Sequence, residues 1–395
     1  MQVRVDLAAH AGGRRTWRRR ASVLALVATA PVLAACEPTV IPATLPSATC
    51  VPVIIDHSEH ADASAAPSTA TACITIGDGG QAGESPDGSP GTEPTHPGHG
   101  SGAPPPETGF VMANPPVTGV VPSTANPPRA AHREFQANCS YTHRRTDDPI
   151  VRPNQPGASH EHTFLGNPSV DAFTTTESLL AATTACKVPA DRSGYWFPTV
   201  FNGSTPIIPD FPQVIYYKSG VTDYTSVRPF PTGLRFVAGN LNATAAEFLE
   251  ASEAGWECGD SYHNADIPAR CPAGTQLNVR YQAPSCWDGL HLDSPDHKRH
   301  MAYPVDGRCP TSHPVAVPMI EFKMAFPVSG DMSQVHLASG RGYSWHYDFF
   351  NAWEPRTLAA LVKQCINGGL QCNARGFDEF HPERGAVLNE RYELP

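Results

Sequence analysis

The sequence is poor in charge: only 17% of its 395 residues are Asp, Glu, Lys or Arg, and acids outnumber bases to a net −10. That balance excludes a basic nucleic-acid binder as the leading class. Aromatics are also scarce, at 8%. No Cys-x-x-Cys pair occurs, which argues against a zinc ribbon or a thioredoxin-like redox site. A Gly-x-Ser-x-Gly elbow, a His-Glu-x-x-His helix and a phosphate-binding glycine loop are equally missing. Nor is there an apolar run of the roughly 20 residues that a membrane-spanning helix needs. Proline, in contrast, is abundant, with 41 residues. That is about twice its usual share of roughly 5%.

The N-terminus reads as an export signal over residues 1–35. Arg14, Arg15, Arg18, Arg19 and Arg20 form a basic start, Ala21 to Ala35 an apolar stretch, and Leu33-Ala34-Ala35-Cys36 resembles a lipobox. In such signals the cysteine is acylated, so Cys36 is the expected lipidation site and a bacterial membrane, through that lipid, the expected partner. Cleavage would remove six arginines and one aspartate, taking the net charge from −10 to −15. Such a chain gains nothing from anionic headgroups or nucleic acid. Ten cysteines then remain, and an even number in an exported chain argues for disulfides.

Residues 36–128 form the expected stalk. The segment is rich in Pro, Ala, Thr, Ser and Gly, and Phe110 is its only aromatic after Cys36. Such a composition offers little to offset ordering entropy. Composition changes after Ala131, so a globular domain is expected over 129–380 and a tail over 381–395. Strands are expected at 195–201, 213–218, 234–238, 277–283 and 315–326. In the last, Ala316, Pro318, Ile320, Phe322, Met324 and Phe326 alternate with Glu321 and Lys323 at period two. Pro318 suggests an edge or a bulge there. Helices are expected at 176–186, at 245–254 behind a Thr244/Glu247 capping box, and at 354–367 ending on Gly368-Gly369. The fold class is therefore mainly β, a single sandwich or jelly-roll-like domain with peripheral helices and several disulfides. Neighbouring cysteines would pair as Cys139–Cys186, Cys258–Cys271, Cys286–Cys309 and Cys365–Cys372, and Cys50 with Cys73 would close a loop in the stalk.

Chemistry points to histidine, of which there are 17. His160 and His162 lie two apart, so on a strand both rings share a face and form half a metal site. About 0.7 such pairs are expected by chance, so a third ligand from His300, His313 or His346 is needed. With His300 as that ligand, the expected cofactor is a divalent metal (Zn, Cu or Mn). In the alternative, His346 is a general base oriented by Asp348 or Asp296, with Tyr195, Tyr303 or Tyr343 as proton partner. Trp196, Trp287, Trp345 and Trp353 are candidates to stack on sugar rings, and Arg235 to bind a substrate carboxylate or sulfate. The competing reading makes the tryptophans core and the histidines loop hydrogen-bonders.

Several strings together resemble an exported family catalogued as domain of unknown function nineteen-ninety-six. They are Phe135 to Cys139, His160 to Asn167, Ser193 to Pro198, Pro229 to Gly239 and Pro284 to Gly289. Leu292 to Pro304, Cys309 to Pro318 and Gly342 to Trp353 complete the set. The family usually has Asn-Gly-Trp where this chain has Asn351-Ala352-Trp353, and a glycine at the position of Tyr347. The resemblance implies one folded unit and, by association with carbohydrate-binding modules in fungal relatives, glycan surroundings. It brings no established reaction. The expectation is a carbohydrate-active hydrolase or lyase on polysaccharide, built from His160, His162, Asp296, His300, His346 and Asp348. The alternative is a non-catalytic glycan- or metal-binding surface module.

Overall fold

A computed structural model describes residues 109–250, 255–259 and 262–395, together with the backbone of 49–55 and 68–74. Cys36 and the whole export signal lie outside the described residues. The two short stretches are strands, Thr49–Ile55 and Ser68–Ile74, paired antiparallel with Cys50 opposite Cys73. They belong to a unit separate from the domain that begins at Gly100.

Ten strands make the body of the domain: β1 Glu134–Cys139, β2 Tyr141–Arg145, β3 His162–Gly166, β4 Gly194–Pro198, β5 Gln213–Ser219, β6 Arg235–Gly239, β7 Gly255–Glu257, β8 Leu277–Gln282, β9 Pro318–Phe326 and β10 His346–Phe350. They form two five-stranded antiparallel sheets, in the orders β7-β8-β9-β5-β1 and β6-β10-β4-β3-β2. The expected β-sandwich with few helices is what forms. Alternation explains the pairing. Ile320, Phe322, Met324 and Phe326 of β9 are fully buried, and they meet Tyr195, Phe197, Tyr347 and Phe349 of the second sheet. The Phe322 and Tyr347 rings stack at 3.7 Å, and the Tyr347 hydroxyl donates to the Ile320 carbonyl at 2.8 Å. Glu321 points the other way, yet it too is buried, because Lys218, Arg280 and Gln282 close over its carboxylate.

Pro318 does not mark an edge. It opens β9, which lies at the centre of its sheet, and the first residue of a strand is where a missing N–H is tolerated. Tyr195 is likewise no proton partner for a surface site. Its hydroxyl lies between the sheets, 2.8 Å from Asp191 Oδ2 and 2.7 Å from the Tyr217 hydroxyl, which accepts from Trp353 Nε1 at 3.0 Å.

The helices are shorter than expected or change character. α1 spans Thr176–Ala181, capped by Thr175, and stops well before Cys186, which is tied to β1 through Cys139. α2 spans Ala245–Glu250 with the reciprocal Thr244/Glu247 hydrogen bonds of a capping box. α3 spans Pro355–Leu361 and runs on as a π-helix through Val362–Ile366. Gly369, at φ +69°, ends it, and the Leu370 N–H returns to the Cys365 carbonyl. All four disulfides expected within the domain are present. The chain from 109 to 128 packs on the domain instead of leaving it: Val111–Met112 pairs with His291–Asp293, Ala113 is buried, and Ser123 hydrogen-bonds Asp223. At the other end Leu388 is buried and its N–H reaches the Arg375 carbonyl.

Candidate metal centre

The second sheet is covered on both faces. Its inner face meets the first sheet, and its outer face carries Phe164, Trp196, Val237 and Phe350, packed under Ile150, Val170 and Leu179. Register fixes what else appears there. Phe164, Trp196, Asp348 and Val237 pair in a row across β3, β4, β10 and β6, so His162 and His346, two residues away along their strands, share that face.

His160 lies just before β3 rather than on it, in the irregular segment that leads into the strand, so the two rings do not share a strand face as expected. The rings still meet. Centroids are 4.3 Å apart for His160–His162, 5.0 Å for His160–His346 and 6.0 Å for His162–His346. One nitrogen from each of the three rings lies within 4.8 Å of the others.

Hydrogen bonding fixes the tautomers. His162 Nδ1 is 3.1 Å from the Asp147 carbonyl and His346 Nδ1 is 2.9 Å from the Ser344 carbonyl. A carbonyl only accepts, so each Nδ1 carries the proton and each neutral ring offers a bare Nε2. That is the outer support that metal-ligating histidines ordinarily have. The Nε2 atoms of His160 and His162 are buried and have no hydrogen-bond partner. Burial pushes all three imidazoles below their usual range, and mutual repulsion adds to it for His162 and His346. His346 falls to about 3. The rings are neutral at pH 7, as ligands must be.

Two carboxylates stand beside the rings. Oxygens of Asp148 and Asp348 and a nitrogen of His162 also lie within 4.8 Å of one another. Asp148 Oδ1 accepts from the Ile150 and Val151 N–H groups at 3.0 and 2.9 Å. Asp348 is completely buried and neither oxygen has a partner. Burial raises its carboxyl far above the usual range, helped by Asp148 and opposed by the Lys298 ammonium. A third group of donors, Cys139, Cys186 and Asp191, is no metal site because the two sulfurs are bonded to each other.

A cleft of about 540 Å3 opens onto the cluster, lined by Asp148, His160, His346, Asn240, Asp296, His297 and Lys298 among others. His346 is thus a member of the triad of rings. Asp348 lies two residues on, but no hydrogen bond joins it to His346 Nδ1, which is taken by Ser344.

The other sequence candidates take structural roles. His300 is not part of the cluster: its Nδ1 is 2.8 Å from Ser294 Oγ and its Nε2 3.0 Å from the Arg235 carbonyl, so both nitrogens are engaged. Asp296 accepts from Ser294 Oγ at 2.8 Å and from the Arg299 N–H at 3.0 Å, and against the opposing effect of burial these bonds hold its carboxyl well below the usual range. Arg235 pairs with Asp293 at 2.7 Å and lies over the Phe350 ring, so it is not free for a substrate. Trp196 and Trp353 are buried core, as are Trp287 and Trp345. The string from Asp293 to Tyr303 is therefore a buttress. It ties β6 to the cleft wall and leaves Lys298 pointing at the site, where its ammonium donates to the Gly239 carbonyl.

Sequence reasoning missed Asp148 and Lys298. Asp148 had a weak signal, as the second of two acids before Pro149. Nothing in the local sequence separates Lys298 from its charged neighbours.

Among known families, a profile described as a domain of unknown function (DUF1996) matches residues 148–353, from the first carboxylate of the site to just past β10. No curated protein and no solved structure gives a significant match.

Proposed function

The chain belongs to the DUF1996 family, and from that premise we propose that it is a metal-dependent enzyme that cleaves polysaccharide, as a hydrolase or lyase. The observation that carries the reading is the convergence of three neutral imidazoles with nitrogens within 4.8 Å of one another, two of them buried without a partner. His160, His162 and His346 would hold the ion, a donor set suited to zinc and its neighbours. A bound metal polarises an oxygen of water or substrate. Asp348 is the proton-transferring group of the proposal. It is buried, neither of its oxygens has a hydrogen-bond partner, and burial raises its carboxyl well above the usual range. Asp148 beside it pushes that carboxyl further up.

A cleft, rather than an open aromatic face, favours this reading over a glycan-binding module. All five tryptophans of the domain are buried among the described residues, leaving none to stack on a sugar. In this proposal the protein is exported and held by lipid on Cys36 at the outer face of a bacterial membrane. Among the described residues no helix is long and apolar enough to cross a membrane.

The test is release of reducing ends or unsaturated products from a panel of polysaccharides by the full chain. Cleavage should vanish on chelation and return with zinc or manganese. The Asp348→Asn variant should keep the metal and lose turnover by about 100-fold or more. Turnover that survives complete metal removal would overturn the reading.

A further inference from the structure

The walls of the cleft differ in how their charges are committed. Two acids line it, and both are already satisfied. Asp148 accepts from two backbone N–H groups, and Asp296 from Ser294, Lys298 and Arg299. Two cations line it as well, Lys298 and Arg152. Arg152 is exposed and, among the described residues, its side chain makes no hydrogen bond or close ion pair, though it lies in the field of Asp148. Lys298 has one bond, to the Gly239 carbonyl, and two further donors on its ammonium.

Lys298 is held there by an expensive local structure. His297, the residue before it, has φ +59°, a left-handed conformation uncommon outside glycine. Three contacts impose it: the His297 N–H to the Ser294 carbonyl, its Nδ1 to Asp293 Oδ1 at 2.9 Å, and its carbonyl accepting the Val237 N–H of β6. Strain of this kind persists where the surroundings over-determine it, and it concentrates at binding sites. The result is a fixed ammonium at the cleft wall, in the field of Asp348 and His346.

We propose that Lys298 and Arg152 recognise an anionic group on the glycan, so that the substrate is an acidic polysaccharide bearing carboxylate or sulfate next to the bond that lies at the metal. This rests on the reading of the site as a metal-dependent enzyme. Lysine supplies a point charge and arginine a planar fork, a combination that suits either anion. The chain as a whole is acidic, at −10, so such a polymer gains little from long-range attraction and the local cations must supply the selectivity.

The experiment measures binding of three tetrasaccharides to the zinc-treated full chain by calorimetry, with zinc content determined on the same samples. The probes are tetragalacturonate, a heparin-derived tetrasaccharide and cellotetraose, so the first two separate carboxylate from sulfate. At least one anionic probe should bind about tenfold or more tighter than cellotetraose, and more weakly as salt rises. Lys298→Gln and Arg152→Gln should each weaken it about tenfold, and Lys298→Arg should retain most of it. Arg152 is exposed, so its variant reports on charge without threatening the fold. Equal or tighter binding of cellotetraose, or anion binding untouched by both glutamine variants, overturns the inference. Zinc uptake with a preference for the neutral probe sinks the inference alone. Anion binding lost in both variants, with no zinc taken up, sinks the metal reading alone.

Discussion

His162 and His346 approach each other across β4, ring centroids 6.0 Å apart, and each donates its Nδ1 proton to a backbone carbonyl, of Asp147 and of Ser344. Two strands of one sheet therefore present unprotonated nitrogens to the same small volume. His160 completes it from the segment that leads into β3. Such an arrangement gathers three neutral rings around one small volume, the Nε2 atoms of His160 and His162 without a partner, and a cation would satisfy them.

Gly239 allows the approach. It pairs with His346 at φ +93°, and a Cβ there would stand 2.7 Å from the Trp345 carbonyl oxygen and 2.8 Å from the His346 Cα. The contact is with backbone, so no side chain can yield. Gly239→Ala should destabilise the domain by roughly 1–3 kcal/mol and weaken metal retention by displacing His346. Urea unfolding together with competition against a chromogenic chelator checks both. Unchanged stability and affinity would show that β6 and β10 are not pressed together there.

His300 separates structure from ligation. With both nitrogens bonded, to Ser294 and to the Arg235 carbonyl, it should be needed for stability and not for metal. His300→Ala is expected to lower unfolding free energy by roughly 1–3 kcal/mol while metal stoichiometry stays at the parent value. Loss of the metal from a folded His300→Ala protein would return His300 to the ligand set.

Asp191 gives a pH signature away from the site. It is fully buried between the sheets, and burial raises its carboxyl from 3.8 to about 7, against the hydrogen bonds from Tyr195 and Ser193. The folded state therefore holds the proton more tightly than the unfolded chain. Its contribution is fully present below about pH 4 and is lost as pH rises through about 7, by on the order of 4 kcal/mol at most. Asp191→Asn cannot ionise and should lose less stability than the parent between pH 5 and pH 8. Parallel pH profiles for the two proteins in denaturant melts would contradict this.

Much of the fold was legible because burial writes a period. The alternation through Ile320, Phe322, Met324 and Phe326 marks β9, and neighbouring cysteines across loops give all four bridges of the domain. The site was legible in part. His160, His162 and His346 stand out as histidines, but their convergence depends on β4 lying between β3 and β10, which no local pattern encodes. Conspicuous residues misled where they were conspicuous for structural reasons. The Asp293–Tyr303 string draws the eye with charge and histidine, yet its Asp296 and His300 bond within the buttress and its contribution to the cleft wall comes through Lys298. Trp196 and Trp353 looked like sugar platforms and are core, since the second sheet is buried on both faces.

The most direct measurement is elemental analysis of the purified full chain without a histidine tag, beside the His162→Ala/His346→Ala double variant. Folding of each is verified by its near-ultraviolet circular dichroism. The account predicts close to one equivalent of zinc, manganese or copper in the parent after loading and dialysis, and none in a folded double variant. A parent that takes up no metal, or a folded double variant that binds as much as the parent, would contradict it.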